Sequence, residues 1–596
     1  MIVDEGRQTV PADGAAAGRA VRRAWVLVQR GDYAAAAETL AGGDADDLNV
    51  RIPLYLSRNL AAMAQHRPEA LDGLAAAGLF ETLERSPLVP TASGRLVPAW
   101  RTPGGGAEPV TVNADPAAAA DAAVDRLRRH LDAGEPVAFA DPIDGYLVSA
   151  VAAARPTLPV GQQQPVYLVA TEPHLLTACL MLHDWSASDG PIADPRFHWF
   201  VGPGAGRAFA DLIHAEPMRV IPQVNLGRES YRAAMATLLD RCHAAVAKKM
   251  QRWSAEIDRH YTGFEPRALT VGLPTRPRAL LITSRFTTVL KHSTADCAAA
   301  FAKLGWRTLT LIEPTDCHRT TEAAIRRAIA TFKPDLVFAI DHLRGHCRTA
   351  IPAELPYLCW VQDQLPKLTS RAAGASVGPR DFVLTMVGPT YVGRWGYPAR
   401  QIVEMPKLTR PPVRPESWDT DGDDLVYVSN ASHRVEDLLD RLEDPTVHAI
   451  GRRIVEAYRR GDTLPTLADV GRVVDAECRR LGHRLSPDER ALVVNRLTHP
   501  LNDTLYRQQA LRWIAEAADD LGLSLALHGH GWEDHPEFAR FARGPVAYGP
   551  DLEALTRRSR INLQIIPSFC LHQRLLDGLV AGGFFLVRHH PSDTAL

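Results

Sequence analysis

The stretch His572-HQRLLDGLVAGGFFLV-Val587 joins a helix to a buried strand through a double glycine, and its reading sets the fold class. From about Leu571, the residues Leu571, Leu575 and Leu579 recur at helical spacing as one apolar stripe. Arg574 and Asp577 lie three apart on the other side. Gly578 inside that helix costs ~1 kcal/mol against alanine, which predicts a close neighbour. Gly582-Gly583 then ends the helix, and Phe584 to Val587 start a buried strand. The strand before it, Ile561 to Ile566, leads into a loop, Pro567 to His572, that faces the N–H groups of the helix N-terminus. That is a natural anion site. The Arg574 fork suits phosphate oxygens, and Asp577 can accept hydrogen bonds from sugar hydroxyls. The alternative for this pair is a surface ion pair worth a few tenths of a kcal/mol.

Working outward, the same alternation extends upstream. Leu425 to Asn430 (LVYVSN) reads as a strand, a helical insertion covers about 432–520, and LSLALHGHGW and VAYGP follow, so 422–596 forms one α/β domain. A second α/β unit covers about 275–410, with strands at Arg278 to Ser284, Thr308 to Ile312, Leu336 to Ile340, Tyr357 to Asp363 and Phe382 to Thr385. A helix is expected from about Thr294. Pro411, Pro412 and Pro415 make Lys407 to Glu416 a stiff linker, and tandem α/β domains imply a ligand cleft at their strand ends. Residues 110–265 alternate helix and strand as a third α/β domain. Its Asp141, Asp144, Glu172 and Gly202 sit where parallel sheets bind ligands, and equally where turns are needed. Residues 1–100 read as helical. The run AWVLVQRGDYAAAAETLAGG from Ala24 is tetratricopeptide-like or a plain helical pair, and Pro103 to Gly106 form a linker.

Composition narrows the function. The 596 residues are 46% hydrophobic and 23% charged, with a net charge of −2, so no basic footprint marks a nucleic-acid partner. Eight scattered cysteines without a CxxC pair argue against a zinc site or disulfide framework. The N-terminus lacks the pattern of a signal peptide, and no apolar run reaches the ~18 residues of a membrane span, so a cytoplasmic location is expected. GxGxxG, Walker, HExxH, GxSxG and kinase motifs are absent. Chemistry by positioned polar groups, with no bound metal or covalent intermediate, is therefore expected.

The string HGHGW…PVAYGPDLEALTRRSRINLQIIPSFCLHQRLLDGLVAGGFFLVRHHPSD resembles the C-terminal domain of group-1 glycosyltransferases of the spore-protein CgeB type. FKPDLVFAIDHLR and LPYLCWVQDQLP are similar to its N-terminal half, so the resemblance spans about 275–596. It implies an α/β fold of two Rossmann-like domains (GT-B) behind a further α/β domain and a helical N-terminal region. It also implies metal-independent transfer of a sugar from a nucleotide-sugar donor to a protein, glycan or lipid-linked acceptor. By that resemblance Asp577 binds the donor ribose and Arg574 the diphosphate. Gly529, Gly531 and Trp532 form a loop closing over the donor, and Val546 to Tyr548 are the strand that meets the base. Ser429 and Asn430 serve the phosphate. Many relatives carry a second acid where this chain has Phe569, so His572 is expected to supply the contact near the leaving phosphate.

The base that takes the acceptor proton is sought in the loop TTVLKHSTAD, with Lys291, His292 and Asp296, and at Asp341-His342 and Asp363. His292 ranks first, and a cap or turn role is the alternative for each. Asp296, for instance, could cap its helix. Such a chain also usually continues past Val587, so its last sheet is expected to be incomplete, with the edge strand exposed. Residues 110–265, through PVYLVATEPHLLTACLMLHDWS…PRFHWFVGPGA, resemble the accessory domain of motility-accessory-factor glycosyltransferases, which modify flagellin. The functions that compete with the enzyme are a non-catalytic scaffold on the same body and a nucleotide-sugar epimerase.

Overall fold

The computed structural model describes residues 12–588 apart from 45, 80, 82–86, 102–105, 157, 159–160, 266–275, 348–349, 410–420, 432 and 568–570. The linker prolines Pro411, Pro412 and Pro415, most of the Pro103–Gly106 run, Phe569 and the terminal PSDTAL lie outside the described residues. The chain divides into two compact units, Met1–Cys359 with Gly378–Phe382, and Trp360–Val377 with Val383–Leu596.

The first unit opens with helices Ala12–Gln29, Tyr33–Leu40, Leu48–His66 and Pro68–Ala76. Their apolar faces join the core of the sheet that follows, where Leu56, Leu60 and Met63 belong with Val137, Leu168, Leu176 and Trp185. Asn59 fixes the junction: its amide donates to the carbonyls of Leu180 (2.8 Å) and His183 (2.7 Å) and accepts from the Trp185 N–H (2.8 Å). The helical reading of residues 1–100 fails from Leu88 on, where β1 (Leu88–Pro90), β2 (Leu96–Arg101) and β3 (Ala107–Pro109) form an antiparallel sheet. A turn at Thr91–Gly94 reverses the chain, with Gly94 at φ 79°. That glycine between two short apolar runs is a hairpin signal.

Strands β4 (Val137–Ala140), β5 (Val166–Ala170), β6 (Phe197–Val201) and β7 (Val224–Gly227) form a parallel sheet in the order β6-β5-β4-β7. β8 (Arg278–Ile282), β9 (Arg307–Leu311), β10 (Leu336–Ile340), β11 (Tyr357–Trp360), β12 (Asp381–Thr385) and β13 (Ile402–Glu404) form the next sheet, in the order β13-β12-β11-β10-β8-β9. The helix expected from Thr294 begins at Leu290, because the Thr287 hydroxyl accepts the Lys291 N–H (3.0 Å). Asp296 is therefore inside the helix and exposed, which removes the capping role.

The second unit holds β14 (Leu425–Val428), β15 (Leu525–His528), β16 (Ala542–Gly544), β17 (Ile561–Gln564) and β18 (Phe585–Val587), parallel in the order β16-β15-β14-β17-β18. Helices Val435–Asp440, Pro445–Arg459, Leu467–Arg480, Pro487–Leu492 and His499–Leu521 lie between β14 and β15. Ile450, Ile454, Val470 and Leu511 share one core with Tyr427, Leu527 and Trp532, so these helices build the unit rather than decorate it.

Two expectations are corrected here. The strand lies at Ala542–Gly544 and not at Val546 to Tyr548, because Gly544 at φ 75° ends it beside a register shift against β15. The helix runs Gln573–Val580 and buries Gln573, Leu575 and Gly578, while Leu579 of the expected stripe is 50% exposed. The close neighbour of Gly578 is Phe585, whose ring carbon would lie 2.2 Å from an added Cβ. Phe584 is 67% exposed beside the edge strand β18.

Glycine is required where parallel strands end against each other. Gly227, at φ 143°, would place a Cβ 2.5 Å from the Ala140 carbonyl oxygen, a backbone atom that cannot swing away. Gly393, inside a helix, meets nothing within 4 Å. Gly227→Ala is expected to destabilise the protein by roughly 1–3 kcal/mol, whereas Gly393→Ala should raise the melting midpoint slightly. Thermal unfolding of the two variants checks the contrast.

Candidate functional site

In the second unit, the loops after β14 and β15 are stitched together at the C-terminal edge of the parallel sheet, where such sheets bind ligands. Ser429 N–H donates to the His528 carbonyl (2.8 Å), Ala431 N–H to that of His530 (2.9 Å), and His530 N–H to the Asn430 side-chain oxygen (3.0 Å). The Trp532 indole N–H donates to the Ser429 carbonyl at 2.6 Å. Gly529 makes this approach possible: at φ 144°, a Cβ there would stand 2.3 Å from the same oxygen. Trp532 is 1% exposed and packs edge-on against Tyr427 and Phe538. It is thus a core clamp, which corrects its reading as part of a lid. Gly531, at φ 83°, turns the chain towards it.

The helix Gln573–Val580 starts with His572 as its N-cap, where Nδ1 accepts the Arg574 N–H at 3.2 Å. Burial first, and then the cations Arg574, Lys407 and Arg507, push the His572 pKa down to about 3. His572 is therefore a neutral cap, with Nδ1 committed to the helix rather than to a leaving phosphate.

Asp577 gathers donors from three segments. Its carboxylate accepts from the Thr409 hydroxyl (2.5 Å), the Gln573 amide (2.7 Å) and the Tyr548 hydroxyl (3.3 Å). Gln573 also donates to the Leu408 carbonyl (3.0 Å), tying the helix to the segment just before residue 410. Arg574 turns the other way. Its guanidinium lies over the Tyr427 ring, 5.8 Å from the centroid, and donates to the Gln564 side-chain oxygen at 3.5 Å. Among the described residues Arg574 forms no ion pair with Asp577, which removes the surface-pair alternative. Asp577, Tyr548, Ser429, Asn430, Gly529, Gly531, His572 and Arg574 all belong to this one unit.

The base candidates are distributed. His292 and Asp341 belong to the first unit and Asp363 to the second. His292 is half-buried in the first turn of its helix, and burial followed by Lys291 holds its pKa below the usual imidazole range, so the ring is neutral and able to accept a proton. Asp341 is 0% exposed at φ 56°, at the end of β10. That is a turn residue with no surface to offer an acceptor, a correction to its catalytic reading. Asp363 is exposed in a short loop after β11.

In the sheet β6-β5-β4-β7, Asp141 repeats the Asp341 device at φ 63°, accepting from the Thr171 hydroxyl (2.6 Å) and the Glu172 N–H (2.9 Å), so it ties β4 to β5. Burial drives Asp144 up to about 6.

Sequence reasoning missed Thr409, Gln573, Gln564 and Arg507. Gln573 was detectable, since it lies one turn from Asp577 on the same helix. Thr409 was not, because it is 168 residues from its partner. Among the described residues no group of three His, Cys, Asp or Glu could hold a metal ion, and no helix is long and apolar enough to cross a membrane.

No protein-family model matches this chain, and no curated protein matches it. Among solved structures, a match is titled "Structure of MAf glycosyltransferase from Magnetospirillum magneticum AMB-1", with 14% identity over 55% of this chain and 56% of that one and a TM-score of 0.22. The chain spans a little over half the length of that structure, and a TM-score of 0.22 supports no argument from shared fold. Its title names the family that residues 110–265 resemble. The comparisons returned no CgeB-type glycosyltransferase.

The neutral His572 gives a pH signature. Its folded pKa of about 3 lies below the ~6.5 of an unfolded histidine, so the unfolded chain binds the extra proton between those values. Stability from this group is complete above about pH 6.5 and is lost progressively as pH falls towards 3. His572→Asn keeps an N-cap acceptor that does not titrate. Its melting midpoint should fall less than that of the parent between about pH 7 and about pH 4.5, and parallel slopes would contradict the assignment.

Proposed function

We propose that this protein is a glycosyltransferase of the GT-B type, moving a sugar from a nucleotide-sugar donor to a protein, glycan or lipid-linked acceptor. The observation that carries the reading is the Asp577 carboxylate, held at the C-terminal edge of a parallel sheet by the Thr409 and Tyr548 hydroxyls. A ribose diol offers the same chemistry as those two hydroxyls, so donor binding exchanges hydroxyl for hydroxyl at one carboxylate. Tyr548 then lies beside the nucleoside, and Arg574, one turn away, serves the diphosphate.

In the transfer, the acceptor hydroxyl attacks the anomeric carbon and the bond from that carbon to the phosphate oxygen breaks. The nucleoside diphosphate leaves with the electron pair. The acceptor proton passes to a general base. The cationic side chains stabilise the leaving diphosphate electrostatically, without a metal ion.

Thermal stabilisation by UDP, GDP, dTDP and their sugars tests this. A ligand at about 100 times its dissociation constant should add roughly 2.7 kcal/mol to a protein that binds it only when folded. One nucleotide class should give that shift, and Asp577→Ala should abolish it. A folded sample that responds to none of them, or an unchanged response in Asp577→Ala, would point to a non-catalytic scaffold instead.

A further inference from the structure

The helix Ala12–Gln29 of the first unit carries its arginines on one side only. Arg19, Arg22, Arg23, Val26 and Arg30 recur at i, i+3, i+4, i+7 and i+11, which places them along one face. Arg30 lies just past the helix, but its N–H donates back to the carbonyls of Val26 (3.2 Å) and Leu27 (3.0 Å), so it continues the last turn. All five residues are exposed, Val26 at 45%. The opposite face is already used. Ala24 and Val28 are buried in the core that also holds Leu56 and Leu60, and Val21, Trp25 and Leu27 pack against it.

No acid stands between Asp13 and Asp32 in the sequence, so these four arginines are not interleaved with counter-charges. Among the described residues none of the four side chains forms an ion pair or a hydrogen bond. The long helix Glu229–Tyr261 gives the contrast, since its exposed Arg241, Lys248, Arg252 and Arg259 are interspersed with Asp240, Glu256 and Asp258. The stripe from Arg19 to Arg30 is about 16 Å long at ~1.5 Å per residue, short enough for its charges to act together on a surface that it touches.

We infer that this arginine face docks the protein on an anionic membrane surface. A bilayer rich in acidic lipids matches it in charge and in shape. A helix held by its apolar side can lay its outer face along a flat surface, where each guanidinium fork grips lipid phosphate oxygens and Val26 meets the headgroup layer. Because the apolar face is committed to the core, the helix adsorbs without inserting, and the contact is electrostatic and sensitive to salt. Other polyanionic partners suit the exposed positions less well. A single-stranded nucleic acid is held by stacking aromatics and a protein partner by an aromatic anchor, whereas this face holds arginines, Val26 and Gln29. The inference is independent of the transferase reading; joined to it, it favours a lipid-linked acceptor among the acceptor classes.

The test sediments the full chain, without nucleotide, with vesicles of phosphatidylcholine alone or of phosphatidylcholine and phosphatidylglycerol in equal parts. Binding is expected to the anionic vesicles only, and it should be lost as salt rises from about 0.05 M to about 0.5 M. Each basic side chain at an anionic leaflet is worth about fivefold in affinity. Arg22→Gln/Arg23→Gln should therefore weaken binding roughly 25-fold, and changing all four arginines to Gln should weaken it at least about a hundredfold. Changing all four to Lys keeps the charge and should keep most of the binding. Exposed substitutions of this kind leave the melting midpoint nearly where it is, so lost binding reports the surface and not unfolding. Unchanged binding in the four-Gln variant, or no binding of the parent to anionic vesicles at low salt, would overturn the inference. Tighter arginine-dependent binding to a DNA or RNA duplex than to the vesicles would overturn it too, and would make the partner a nucleic acid. None of these outcomes bears on the transferase reading, and a failed nucleotide response leaves vesicle binding untouched.

Discussion

Everything at the candidate site hangs on the contact between the Trp532 indole N–H and the Ser429 carbonyl, at 2.6 Å. Parallel strands lose their ladder at their C-terminal ends, and the loops that follow would splay without another tie. Here the tie is a buried ring. Trp532 sits in the same core as Tyr427, so the clamp is anchored to the sheet below it. Gly529 at φ 144° removes the one side chain that would keep the two backbones apart. The bonds from Ser429 to His528 and from Ala431 to His530 then fall into register. The inserted helices close on the same core, through Leu505, Tyr506 and Leu511 of the helix His499–Leu521.

The short helix Gln573–Val580 separates two electrostatic environments. On one side Asp577 is surrounded by hydroxyl and amide donors from Thr409, Tyr548 and Gln573. On the other, Arg574 lies with Tyr427 and Gln564. Residues three apart are neighbours on a helix surface, and these two side chains part because their partners differ: Thr409, Tyr548 and Gln573 for Asp577, Gln564 and Tyr427 for Arg574. His572 must stay neutral for this to work, since a protonated ring would lose its capping bond and add a further charge beside three cations. On the proposed reading, this division follows the donor molecule: hydroxyl recognition at the carboxylate and charge recognition at the guanidiniums.

The first unit shows the same physics put to structural use. Asp141 and Asp341 both end a central parallel strand in the left-handed region, both are buried, and Asp141 spends its carboxylate on the neighbouring turn. Gly227 presses on Ala140 much as Gly529 presses on Ser429. Polar residues at strand ends are thus ambiguous in sequence, because a turn and a ligand site ask for the same residue types. Only the partners of each carboxylate separate Asp577, whose donors include two hydroxyls on flanking segments, from Asp141, whose donors are the turn that follows the next strand.

Local chemistry was decided by the sequence alone. Continuous apolar runs such as RALLI, LVFAI, LVYV and LALH become buried parallel strands, because a strand covered on both faces has no polar side to show. The helix at Gln573–Val580, its double-glycine stop and the polar positions Arg574 and Asp577 follow from spacing within one turn. The tertiary structure decided which of these groups meet. Whether Trp532 covers a ligand or fills a core depends on what lies beyond it, and its composition is the same in either place. Thr409 reaches Asp577 from far along the chain, since burial and backbone hydrogen bonding bring segments together without regard to their distance in sequence.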